Sequence, residues 1–186
     1  MRTLPLLSLT AAAALFASVA EARPYVVDKS ASRLGFTASM SGAAFQGSFR
    51  RWDAVIDFDP NNLPASRATV TVDMASAATG DGARDEALPS NDWFAAKKHP
   101  RATFVTRSIT RTGPNRYAAA GTLTMRGVAR PVVLPFTLAL NGPTAKMTGQ
   151  LVLDRTAFGV GQGQWRTGST VATQVTVNVN LTATAR

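Results

Sequence analysis

The amino-acid sequence predicts an all-β domain: an antiparallel β-barrel of about eight strands, interrupted by one short helical insertion near residues 81–98. Three observations predict it. From Pro24 onward apolar residues recur at every second position, the period of half-buried strands. Short turn signals such as Ser41-Gly42, Arg126-Gly127 and Asn141-Gly142-Pro143 separate the runs, and strands joined so tightly are antiparallel. One stretch, Arg84–Phe104, abandons alternation for charges, caps and breakers. A sheet of this strand number with one dry and one wet face commonly closes into a barrel, which removes its edges. A two-sheet sandwich fits the same pattern and is the alternative.

The first 22 residues stand apart from this pattern. Arg2 is followed by an apolar run over Leu4–Val19 and by Ala20-Glu21-Ala22, an A-x-A cleavage site, so residues 1–22 read as a cleaved signal peptide. The run is short of the ~20 apolar residues that span a bilayer. Residues 23–186 remain as one domain, and the expected destination is the periplasm. The chain has no cysteine, so an exported fold must rest on its apolar core, and thiol chemistry is excluded.

The strands follow in order. Leu34, Phe36, Ala38 and Met40 share one face, and Phe45-x-Gly47-x-Phe49 continues after the Ser41-Gly42 turn. Trp52, Ala54, Ile56 and Phe58 form the next, ended by Asp59-Pro60-Asn61-Asn62, and Ala68, Val70, Val72 and Met74 another. Beyond the interruption come Ala102, Phe104 and Thr106, then Tyr117, Ala119, Gly121, Leu123 and Met125. Val132–Leu140, Met147–Leu153 and Val171–Ala183 supply the remaining alternating faces. A barrel of ~8 strands is either just filled by side chains or able to hold one small ligand. Small residues at Gly47, Gly121 and Gly149 leave both outcomes open.

Within the interruption, Asp81 is placed to cap a short helix, with Asp85 in its first turns, where negative charge suits the helix dipole. Pro89 stops that helix, and Ser90 or Asn91 is placed to cap a second turn bearing Trp93 and Phe94. The candidate chemistry here is thin. A single histidine and no cysteine argue against a metal centre, and Asp81, Asp85 and Glu86 lack the spacing of a calcium loop. Ser90, Asp92 and His99 have no nucleophile-elbow sequence behind them. Gly159-x-Gly161-x-Gly163 has the wrong spacing for a phosphate loop and reads as a bend or bulge. No catalytic or metal residue is assigned, and an enzyme is not expected.

The formal net charge is +9, from 20 Lys+Arg against 11 Asp+Glu. The basic residues are scattered, and clusters are what binding patches need. Phe49-Arg50-Arg51-Trp52 interleaves aromatic and basic residues, yet on one strand they cannot all share a face, and an exported chain is not expected to meet nucleic acid.

The chain resembles the YceI-like family of exported polyisoprenoid-binding proteins from about Tyr25 to Ala183. The resemblance rests on Thr79-Gly80, Arg84-Asp85, Leu88-Pro89-Ser90, Asp92-Trp93-Phe94 and Pro100-x-Ala102-Thr103-Phe104. It rests also on Phe45-x-Gly47-x-Phe49, Gly121-x-Leu123-Thr124-x-Arg126-Gly127, Val132-x-Leu134-Pro135 and Arg155-x-x-Phe158-Gly159-Val160-Gly161. Where family members often carry His-Ser, this chain reads Ala31-Ser32, so no role of that histidine transfers. The resemblance implies a lipocalin-like barrel holding an isoprenoid or similar lipid tail, a polyprenyl chain or an isoprenoid quinone, as ligand and no other cofactor. The expected apolar lining is Leu34, Phe36, Phe45, Phe49, Phe58, Phe104, Leu123, Phe136, Phe158 and Val177, with Trp93 and Phe94 closing one end. The alternative is a filled barrel whose basic exterior docks on an anionic membrane surface or an acidic protein. The sequence leaves the oligomeric state open.

Overall fold

The computed structural model describes residues 22–186. The signal peptide expected over residues 1–22 lies outside the described residues, Ala22 excepted. The elements in chain order are β1 (Arg23–Val27), β2 (Arg33–Met40), β3 (Ala43–Phe49), β4 (Trp52–Phe58), β5 (Arg67–Asp73) and β6 (Ala77–Ala78). There follow α1 (Gly82–Ala87), β7 (Arg101–Gly113), β8 (Arg116–Met125), β9 (Val128–Asn141), β10 (Thr144–Asp154) and β11 (Gln174–Ala185). Every pairing is antiparallel, and β1-β4-β5-β7-β8-β9-β10-β11 returns to β1, closing a ring of eight strands. The barrel is therefore the fold, and the sandwich is not.

Three further strands, β2, β3 and β6, extend the sheet from β11. β11 forks: Thr176–Asn180 pair with β2, whereas Ala183–Ala185 pair with β1. Thr182 pairs with Lys146 of β10, but on the forked edge its backbone has no ladder partner. Ser32 supplies one, its hydroxyl accepting from the Thr182 N–H at 2.9 Å, and the Asp28 N–H donates to the Thr182 carbonyl at 2.9 Å.

Local chemistry sets the connections. Ser41 and Gly42 both have positive φ, as do Arg126 and Gly127, the geometry of two-residue turns whose twist matches that of the strands. Gly47 and Gly121 lie on the inward face but do not open space. A Cβ on Gly47 would collide with the Phe36 ring, and one on Gly121 with the Phe104 ring and the Val105 carbonyl. These glycines let aromatic rings lie across the neighbouring strand.

Three departures from the expected pattern have physical causes. β7 runs on to Gly113 because a bulge between Thr106 and Ser108 absorbs one residue, so that Ile109, of the opposite parity to Phe104, turns inward and is buried. The helix of the insertion covers only Gly82–Ala87. A second turn does form, the Trp93 N–H donating to the Ser90 carbonyl at 3.2 Å, but it does not continue as a helix, because the N–H groups of Phe94, Ala95 and Ala96 donate to Leu88, Ser90 and Pro89, and Ala95 has a φ of 48°. The last strand begins at Gln174, not Val171, because Arg155 takes the carbonyls of Val171 and Ala172.

Candidate functional site

The inward faces enclose a cavity of about 280 Å³. Its wall is apolar over nearly its whole extent; Thr103, Thr106 and Arg155 are the polar residues among those that line it. Eleven of the twelve residues expected at the site are on this wall: Leu34, Phe36, Phe45, Phe49, Phe58, Trp93, Phe94, Phe104, Leu123, Phe136 and Val177. Phe158 is not. It is 2 % exposed and packs in a buried cluster with Met74, Phe94, Leu153 and Val160, behind the wall. Alternation could not reveal this, because Phe158 sits in a 3-10 turn (Arg155–Phe158) where strand period no longer applies.

The two ends of the cavity are closed differently. At the end where β8 begins and β4 finishes, the Tyr117 ring stacks on Phe136 at 5.3 Å and meets the Phe58 ring edge-on at 5.7 Å. Ile109, Leu138 and Ala145 complete that cluster. These aromatic contacts are carried by the strands themselves and add ~0.5–1.5 kcal/mol per pair beyond buried area.

At the opposite end two connecting segments lie across the barrel: the insertion through Trp93 and Phe94, and the stretch from Arg155 to Thr173. Trp93 meets Trp165 at 5.6 Å, and Phe94 meets Phe49 at 6.1 Å, which in turn meets Phe36 at 5.5 Å. The Asp92 carbonyl accepts the N–H groups of both Gly161 and Gln162 at 2.8 Å, and Arg126 Nη2 donates to the Asn91 carbonyl at 2.6 Å. The insertion is itself held by its acids. Asp81 caps α1, accepting from the Arg84 N–H at 3.0 Å. Asp85 accepts from the Thr79 hydroxyl and N–H and from the Gly80 N–H, hydrogen bonds that hold its carboxyl below the usual aspartate pKa.

Arg155 organises this end, and alternation gave no signal for it. Its residue is 3 % exposed, and its guanidinium donates to the carbonyls of Ala172, Val160, Trp165 and Val171 at 2.6–3.0 Å. It also lies 5.3 Å from the centre of the Trp93 ring. Burial lowers its pKa from the ordinary arginine value, and the Asp154 charge opposes that shift. The planar fork of donors suits this multiple capture of carbonyls, which a lysine could not reproduce. One available signal was its place beside Asp154, whose carboxylate caps the 3-10 turn by accepting from the Thr156 N–H at 2.9 Å.

Asp81 and Asp85 are occupied as described. The His99 N–H bonds back to the Ala95 carbonyl at 2.8 Å, and its ring lies against Gly127. Among the described residues, no three of His, Cys, Asp and Glu come together as a metal centre requires.

The YceI-like domain family matches residues 25–183. Among relatives, a UPF0312 protein of Pseudomonas syringae pv. tomato is 31% identical over 173 residues, covering 88% of this chain and 90% of its own. Protein YceI of Escherichia coli O157:H7 is 33% identical over 141 residues, covering 74% and 73%. The crystal structure of Burkholderia cenocepacia BcnA is similar at a TM-score of 0.83 and 36% identity, over 86% of this chain and 100% of that one. A polyisoprenoid binding domain from Saccharophagus degradans shares the fold at a TM-score of 0.67 and 16% identity, over 88% and 99%.

Proposed function

Because the chain belongs to the YceI-like family, we propose that it is a non-enzymatic binding protein that holds the tail of an isoprenoid lipid, a polyprenyl chain or an isoprenoid quinone, in its lumen for transport or storage. The observation that carries this reading is the cavity wall itself: a space of about 280 Å³ inside the barrel bounded almost entirely by apolar side chains. Sites for small apolar ligands have this character, with few polar groups. Each buried CH₂ contributes ~0.8 kcal/mol, which is why such a tail needs a container to cross water. An apolar cavity of ~150 Å³ stays dry and takes up benzene, so the present volume encloses a short run of isoprene units. The expected signal peptide over residues 1–22 supports the periplasm as the place of action.

Titration of lipid-stripped protein with a short-chain ubiquinone, followed by quenching of tryptophan fluorescence, tests the reading. Val177 lies mid-strand on the wall, opposite Leu151 and Phe36. Wild type is expected to saturate at one ligand per barrel, and Val177→Trp to bind at least tenfold more weakly with the circular dichroism of wild type. Equal binding by both proteins contradicts the lumen as the site.

A further inference from the structure

The barrel wall has a seam. Strands β9 and β10 pair from Asn141↔Thr144 to Phe136↔Gly149, and there the pairing stops. Both strands continue well past that point, β9 back to Val128 and β10 on to Asp154, each still paired along its other edge, with β8 and β11. Extending the observed register would set Val133 opposite Val152, and Pro131 opposite Asp154, but among the described residues those pairs are not formed.

The cause is legible in the chain. In an antiparallel strand the N–H groups of successive residues point to alternate neighbours. The Leu138 N–H donates to the Asn115 carbonyl on the β8 side, so even-numbered residues of β9 face β8 and odd-numbered ones face β10. Two odd positions of the unpaired half are Pro131 and Pro135, which have no N–H. The prolines thus leave the β8–β9 ladder intact and remove two donors that would have held β10. They fall only in the half that is unzipped.

Between Gln150 and Asp154 on β10, and from Pro131 to Pro135 on β9, both sides of the seam are apolar. Val132, Leu134, Leu151 and Leu153 line the lumen just inside it, while Val133 and Val152 are 53% and 60% exposed on its outer edges. At its foot Arg130 Nε donates to the Ala157 carbonyl at 3.3 Å, beside the buried Phe158. The β1–β4 ladder is also short, covering only Arg23–Tyr25 against Ile56–Phe58; along β4-β5-β7-β8-β9 and β10-β11-β2 a ligand would have to part a hydrogen-bonded ladder.

We propose that this seam is the lateral portal through which an apolar tail enters and leaves the lumen, with any length the lumen does not enclose passing out between β9 and β10. The proposal rests on the lipid-binding reading above, and its test separates the two.

The chain has no cysteine, so Val133→Cys/Val152→Cys is bridged with a short bis-maleimide and purified as the bridged species by intact mass. The same variant capped with N-ethylmaleimide is its control, and Thr137→Cys/Thr148→Cys, a pair already in register, is bridged in parallel. Uptake and release of short-chain ubiquinone are followed by stopped-flow tryptophan quenching. Bridging 133 to 152 is expected to slow both rates at least tenfold, with the equilibrium affinity within about twofold, and bridging 137 to 148 to change neither. Equal rates in the bridged and capped proteins overturn the portal. Binding absent from wild type overturns the lipid-binding reading instead. A second measurement needs no ligand. Hydrogen exchange should find the amides of Val152 and Asp154 unprotected in wild type and protected in Pro131→Val/Pro135→Val, and their full protection in wild type would show the seam closed.

Discussion

The two ends of the barrel solve the same problem by different means. One is closed by Phe58, Tyr117 and Phe136, rings on ladder-held strands that need nothing beyond the sheet to position them. The other is closed by two connecting segments, which have no ladder of their own and depend on side-chain ties to backbone. A strand-built closure is as stable as the barrel. A loop-built closure is as stable as its ties, and the chief tie is one arginine.

That contrast can be broken most forcefully at Arg155. Removing its guanidinium leaves four carbonyls short of donors in a buried site. Arg155→Ala is expected to lose at least about 3 kcal/mol in urea unfolding, since hydrogen bonds to charged groups contribute ~1.5–3 kcal/mol each and are not additive. Arg155→Lys should recover only part of this, and a loss within experimental error would show the loops to be held by other contacts. At the opposite end, Tyr117→Ala removes a stacked and an edge-on ring contact. Its cost is expected to be about 2–3 kcal/mol, below the usual ~3–5 for a buried ring because the lumen already adjoins the site. Hydrogen exchange should separate the two variants: Arg155→Ala loosens residues 155–173, and Tyr117→Ala leaves them as protected as in wild type.

A smaller effect belongs to Asp81, whose side chain caps α1. Asp81→Ala is expected to cost about 1 kcal/mol, with Asp81→Asn close to wild type in the same unfolding assay. The smallest is a pH dependence. Asp85 and Asp154 are held below the ordinary aspartate pKa, each chiefly by a threonine hydroxyl, Thr79 and Thr156 respectively. A carboxyl whose folded pKa is depressed stabilises the fold fully above its unfolded value of ~3.9, and the contribution disappears as pH falls through the lower folded value. The loop-built end should therefore loosen first on acidification below about pH 4, seen as exchange in residues 79–99 and 155–173 before the Tyr117 end responds.

The strand-built half of this comparison was legible in the sequence, and most of the loop-built half was not. Alternation places Phe58, Tyr117 and Phe136 on the inner face because side-chain direction in a strand is fixed by parity alone. The same rule placed the nine expected strand residues on the cavity wall, whereas Trp93 and Phe94 reach it from the insertion, where parity does not apply. It failed where parity is broken: at Ile109 beyond a bulge, and at Phe158 in a 3-10 turn. The capping of α1 by Asp81 was readable because it is local. Arg155 was not, since its four carbonyl partners lie 5 to 17 residues away and come together only when the loop folds back. The seam shows a third case. Pro131 and Pro135 are plain in the sequence, but which neighbour their missing N–H groups would have faced is decided by register, which only the folded sheet supplies.

The most direct test of the central claim is the content of the lumen in protein purified natively from a bacterial periplasm. Organic extraction followed by mass spectrometry is expected to yield an isoprenoid lipid at close to one per chain from wild type. Val177→Trp, purified in parallel, should yield a small fraction of that amount. Wild-type protein that carries no isoprenoid, or a variant that carries as much as wild type, would contradict it.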